Sequence, residues 1–145
     1  MFTRSIAAAI ALGLAIASPA AAQMMAPEGA GVYFVNLSDG DTVSSPVKVV
    51  FGLSGMGVAP AGTEKENTGH HHILIDRPPL GEGQEGELTY GLPADDNHKH
   101  FGGGQTETML ELAPGEHTLQ LVLGDMNHVP FDPPVASDVI TITVE

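Results

Sequence analysis

Val47, Val49, Phe51 and Leu53 alternate with Lys48, Val50, Gly52 and Ser54, and the same period of two recurs along the chain in short runs. Successive side chains of an extended strand leave on opposite faces, so each run predicts a strand with one face against a core. Val32 to Leu37 predicts a first strand and Ser38-Asp39-Gly40-Asp41 a turn. Gly55 to Gly69 is rich in Gly, Pro and charge and predicts a loop, after which His70 to Asp76 resumes extended character until Pro78 and Pro79 end it. Gln105 to Leu112 and Glu116 to Gly124 predict a hairpin joined by Ala113-Pro114-Gly115, with Leu119, Leu121 and Leu123 on one face. Val139 to Val144 closes the pattern, Ile140, Ile142 and Val144 facing inward. Between Leu80 and Gly104 only Leu88 to Leu92 reads as a strand, and a stretch this long without a period is usually functional or mobile. No helical period, heptad or internal repeat competes. Six or seven short strands predict an all-β fold, a small antiparallel β-sandwich, immunoglobulin-like or fibronectin-like.

The N-terminus follows a different logic. Arg4, the apolar run Ile6 to Ala17 and the small residues Ala20-Ala21-Ala22 form a signal peptide over residues 1–22, with cleavage between Ala22 and Gln23. Residues 23–30 then form a flexible arm and 31–145 one domain, of ordinary size for a single core. The expected location is the periplasm or the extracellular medium. No later run reaches membrane-spanning length, so an integral membrane protein is excluded. The formal net charge is −13, and removing Arg4 makes it one unit more negative. Such a field repels nucleic acid and attracts cations, although it also serves plain solubility.

Candidate chemistry rests on histidine. There are seven in a chain without cysteine, which excludes thiolate catalysis, disulfides and cysteine-ligated metal. Five of them fall in His70-His71-His72 and in His98-Lys99-His100. On a strand, residues two apart share a face with Cα atoms roughly 6.5–7 Å apart, so both rings of a His-x-His pair can reach one ion. His70 with His72 and His98 with His100 are therefore candidate metal ligands, joined by His128 and Asp125 from Gly124-Asp125-Met126-Asn127-His128. Asp125 can alternatively orient a ligating histidine. His71 points the other way, beside Ile73 and Ile75, and reads as a buried histidine hydrogen-bonded to backbone; the opposite face assignment, with His71 as the ligand, stays open. A nitrogen-rich set suits copper or zinc and not calcium. Met24, Met25, Met56 and Met126 would favour copper(I), but methionine is more often a core filler. His117 reads as structural. The bland alternative is that these histidines are scattered surface or structural residues.

Enzyme signatures are mostly absent. Gly52-Leu53-Ser54-Gly55-Met56 is not a nucleophile elbow, and there is no phosphate loop or His-Glu-x-x-His. Cleavage before Gln23 would leave no N-terminal histidine for a copper-oxygenase brace. Asp95-Asp96 and Glu64 with Glu66 read as solvated charge. The function expected is binding of copper or zinc for sequestration or delivery. A second reading is a cell-envelope interaction module, in which the sandwich edge or the Leu80 to Gly104 loop docks another envelope protein or a wall glycan and the histidines form a scaffold. Metal-assisted catalysis ranks third.

Longer motifs add a resemblance. Gly55-Met56-Gly57-Val58-Ala59-Pro60-Ala61-Gly62, Asn67-Thr68-Gly69-His70-His71-His72-Ile73-Leu74-Ile75-Asp76 and His100-Phe101-Gly102-Gly103-Gly104-Gln105-Thr106-Glu107 are carried by this chain, as are Pro114-Gly115-Glu116-His117-Thr118-Leu119-Gln120-Leu121 and Gly124-Asp125 with His128-Val129-Pro130. Together they resemble the bacterial exported family called domain of unknown function 4399, which implies a periplasmic or secreted single domain and no established activity. The family's pattern reads histidine where this chain has Phe131, which would leave the site one donor short if that position is a ligand.

Overall fold

The computed structural model describes residues 22–145, so the expected signal segment lies outside the described residues up to position 21. Among the described residues there are nine strands and no helix: β1 (Gly31–Phe34), β2 (Thr42–Val43), β3 (Val47–Ser54), β4 (Gly57–Val58), β5 (Thr68–Ile75), β6 (His98–His100), β7 (Glu107–Leu110), β8 (Gly115–Gly124) and β9 (Ile140–Val144). They form two sheets, β1-β3-β7 and β2-β9-β8-β5-β4, with β6 also pairing β5. The sheets enclose one core. Val32, Val49 and Phe51 of the first meet Ile73, Leu119, Leu121, Leu123 and Ile142 of the second, as the alternation requires. The result is the expected all-β sandwich, though β2 with β9 and β4 with β5 run parallel.

Three local expectations change. The hairpin over 105–124 is not formed: β7 pairs β3 in one sheet, while β8 pairs β5 and β9 in the other. Ala113-Pro114-Gly115 carries the chain between sheets. Leu110 and Leu119 both face the core, and alternation reads the same whether two strands lie side by side or across a sandwich. Leu88 to Leu92 is a turn, with the Thr89 and Tyr90 N–H groups donating to the Gly86 carbonyl; the strand in this region is β6. Residues 23–30, expected as a flexible arm, lie against the domain. Ala26 N–H donates to the Asp132 carbonyl at 2.9 Å, Asp132 N–H to that of Met24 at 2.9 Å, and the Gln23 carboxamide to Leu88 and Pro130.

The sandwich also has a second, smaller core. Both faces of β5 are buried along its full length, because the 77–97 segment covers the outer face. Leu74 and Val122 meet Leu92 there, with Leu80 beside them. Gln120, the polar residue on that face, accepts from Leu80 N–H at 2.8 Å and donates to the Ser137 carbonyl at 2.9 Å. This covered outer face is where the histidines gather.

Candidate metal centre

Register brings the rings together. His70, His72 and Leu74 share the outer face of β5, and β6 lies antiparallel beside it with His100 opposite His72 and His98 opposite Leu74. On the other side, β8 places Gly124 opposite His70. The chain then turns at Asp125 and returns His128 over the same patch, in a left-handed backbone conformation (φ 67°) that is costly for a non-glycine residue. Asp125 holds this turn. Its carboxylate accepts from Asn127 N–H at 2.7 Å and Val129 N–H at 3.0 Å, and its carbonyl from His128 N–H at 3.0 Å.

The outcome is a group of four, His70, His72, His100 and His128, whose donor atoms all lie within 4.8 Å of one another. His70 Nε2 is 3.0 Å from His128 Nδ1 and 3.0 Å from His72 Nε2. An imidazole nitrogen carries either one proton or one lone pair, so His70 Nε2 cannot make two good hydrogen bonds at once. A cation would satisfy all of these lone pairs together. His70 and His72 are fully buried, while His100 and His128 are partly exposed and mark the open side.

Two glycines make room. A Cβ on Gly124 would sit 2.7 Å from His72 Nε2 and 3.3 Å from the His128 Cα, and one on Gly102 would sit 2.4 Å from His100 Cε1. The loop 59–62 straps the two flanking segments, Ala61 N–H donating to the Gly102 carbonyl at 2.8 Å and Gly62 N–H to that of Met126 at 2.9 Å. The Nδ1 atoms of His70 and His72 have no hydrogen-bond partner, so no carboxylate or carbonyl orients these rings from behind. Strand geometry and packing alone aim them.

Protonation is suppressed at His70, His72 and His100. Burial, then the neighbouring His128, His100 and His71, push the His70 pKa down to about 4. Burial, then His70, His100, His128 and His98, push His72 down to about 2. His100 is lowered by burial and His128. His70 and His72 are therefore neutral, the state in which imidazole binds a metal, well below the ordinary value of about 6.5.

The other candidates are placed elsewhere. His98 is equally buried, but its Nε2 faces Glu87 at 3.7 Å and its Nδ1 faces Asp95 at 3.5 Å, outside the group of four. Asp125 shapes the His128 turn through backbone and is not one of the four grouped donors. His71 lies on the core face against Phe51, ring centroids 4.9 Å apart. Neither of its nitrogens has a hydrogen-bond partner, which corrects the expectation of a backbone bond: the ring packs among apolar core side chains instead. Burial pushes its pKa down to about 4. Met24 and Met56 pack against the main core and Met25 is exposed. Phe131 is fully buried in the main core, so in this chain that position fills the interior. His117 is structural, its Nδ1 2.8 Å from Asp76 and its Nε2 2.8 Å from the Ala113 carbonyl. Glu87 is the residue that the pattern of the sequence did not flag. It is a buried carboxylate that accepts from Gly81 N–H at 2.9 Å and faces Arg77 at 3.8 Å, tying down the covering segment. It sits in an acidic, glycine-rich run that carries no period.

Comparison with known proteins gives one relationship. The profile of the family described as Domain of unknown function (DUF4399) matches residues 49–145. No curated protein and no solved structure matches the chain.

Proposed function

This chain belongs to the DUF4399 family, and because that membership brings no activity with it, we propose a function from the histidine group: the protein is exported and binds one copper or zinc ion through His70, His72, His100 and His128, for sequestration or delivery. The observation that carries this reading is the convergence of four imidazoles within 4.8 Å, two pairs of them at 3.0 Å, on a face that the fold covers. Metal–nitrogen bonds of about 2.0–2.1 Å place ligand nitrogens about 3–4 Å apart, so little movement is needed. Four protein donors without a carboxylate or thiolate suit copper(II) and zinc and exclude hard cations such as calcium.

Four ligands also fill a tetrahedral shell, which favours holding an ion over catalysis at an open position. Export rests on the Arg4 to Ala22 segment and on the strongly acidic composition. Calorimetric titration of untagged protein tests the reading. One ion per chain is the expected result, and the His70→Ala/His72→Ala double variant should lose it. Full copper and zinc binding by that folded variant would sink the assignment.

A further inference from the structure

Separate stretches of chain converge on the turn that presents His128. We infer that Gln23 is a positioning residue for this ligand: it ties the covering 77–97 segment to the turn, so that closing the cover and binding the metal strengthen each other; this rests on the proposal that the group binds a metal.

Register puts Gln23 there. Met25 lies opposite Asp132 in a parallel bridge, closed by Ala26 N–H to the Asp132 carbonyl and by Asp132 N–H to that of Met24, both at 2.9 Å. Parallel chains advance together, so the residue two before Met25 falls beside the residue two before Asp132. Gln23 therefore lies beside Pro130. Met24 and Ala26 pack against the main core, to which Phe131 belongs, and hold that register. The Gln23 carboxamide then bridges two segments, donating to the Pro130 carbonyl at 3.1 Å and to the Leu88 carbonyl. Its NH2 group carries two protons, so both bonds form at once.

Both acceptors belong to parts that meet at His128. Pro130 is two residues beyond the ligand, and Leu88 lies four residues before Leu92, whose N–H donates to the His128 carbonyl at 2.8 Å. A Cβ on Gly91 would sit 3.0 Å from the Asn127 carbonyl oxygen, so the backbone of the cover rests directly on the turn. His128 is held in a left-handed conformation, which persists in a non-glycine residue only where its surroundings over-determine it. Asp125 fixes the turn from within, and the cover fixes it from outside. Lifting the cover breaks the Leu92 bond and frees the backbone of one of the four grouped donors. Such coupling is reciprocal: the factor by which the closed cover raises metal affinity is the factor by which the metal favours closure.

Calorimetric titration of the untagged full chain with zinc(II) tests this, with Gln23→Leu as the variant, because leucine is neutral and of similar bulk but cannot donate. The dissociation constant should rise about 10-fold, within the usual range for coupled sites, with the circular dichroism spectrum unchanged. Amide hydrogen exchange gives a readout that a merely structural bond would not move. In the unaltered chain zinc(II) should slow exchange of the Leu92 N–H about 10-fold, and in Gln23→Leu by less. Equal zinc(II) affinity in folded Gln23→Leu, or Leu92 exchange that is the same with and without zinc(II), overturns the coupling while leaving metal binding in place. Should the variant not fold, exchange in the unaltered chain decides alone. Binding of neither zinc(II) nor copper(II) by the unaltered chain overturns the underlying metal reading and this inference together.

Discussion

Two glycines decide how the site can be built, and they can be tested alone, as can the histidine on the opposite face of β5. Gly102→Ala puts a methyl 2.4 Å from His100 Cε1, but that ring is partly exposed and can swing away. Metal affinity should therefore drop roughly 10- to 100-fold, the range for disturbing a supporting residue, with the unfolding midpoint nearly unchanged. Gly124→Ala has no such escape, because His72 is fully buried. It should lose affinity and also about 1–3 kcal/mol of stability, measured by urea unfolding of metal-free protein. His71→Leu runs the other way. It removes two buried nitrogens that have no partner and should leave stability unchanged or raise it by about 1 kcal/mol. The residue types at the site were legible in the sequence, since His-x-His spacing on a strand has a direct geometric meaning. That His98 faces Glu87 and His100 does not was beyond reach, because it depends on which residue of β5 lies opposite each.

At the scale of elements, two segments that are not regular strands shape the site, one presenting His128 and the other covering the outer face of β5. The 125–129 turn is set by the Asp125 carboxylate. Asp125→Ala should free the turn and release His128 from its left-handed conformation, lowering affinity about 10- to 100-fold while the sandwich stays folded by circular dichroism. The 77–97 segment covers the outer face through Leu92, which packs on Leu74 and Val122. Leu92→Ala should cost about 2–5 kcal/mol, the range for truncating a buried leucine. Strands β3 and β9 could be read from alternation because each has a buried face of period two, whereas β5, buried on both faces, could be read only from its extended, β-branched run ended by Pro78 and Pro79. The connection between β7 and β8 could not, since Leu110 and Leu119 face one core from opposite sheets. The outer core over β5 was also invisible, because Leu80 and Leu92 are single apolar residues in an aperiodic run.

For the molecule as a whole, the buried rings link stability to pH. The unfolded chain takes up protons on histidine near pH 6.5, but folded His70 and His71 do so only near 4 and His72 near 2. Between 6.5 and 4 the unfolded state holds more protons, so metal-free protein should become less stable as pH falls through this window. His117 has the opposite sign. Burial opposes its charge, but the Ala113 carbonyl and Asp76 raise its pKa, so its contribution is complete below 6.5 and lost as pH rises through the raised value. Denaturant midpoints measured from pH 4 to 8 should show the acid loss dominating. Bound metal adds its own linkage, about 2.7 kcal/mol at a hundredfold excess over Kd, and His70 and His72 need lose no proton to bind it between pH 6.5 and about 4.

The most direct measurement of the central claim is an anomalous difference map from crystals grown with copper or zinc. One peak about 2.0–2.1 Å from nitrogens of His70, His72, His100 and His128 is the predicted result. A peak at His98 and Glu87, or peaks only among surface carboxylates, would contradict the account.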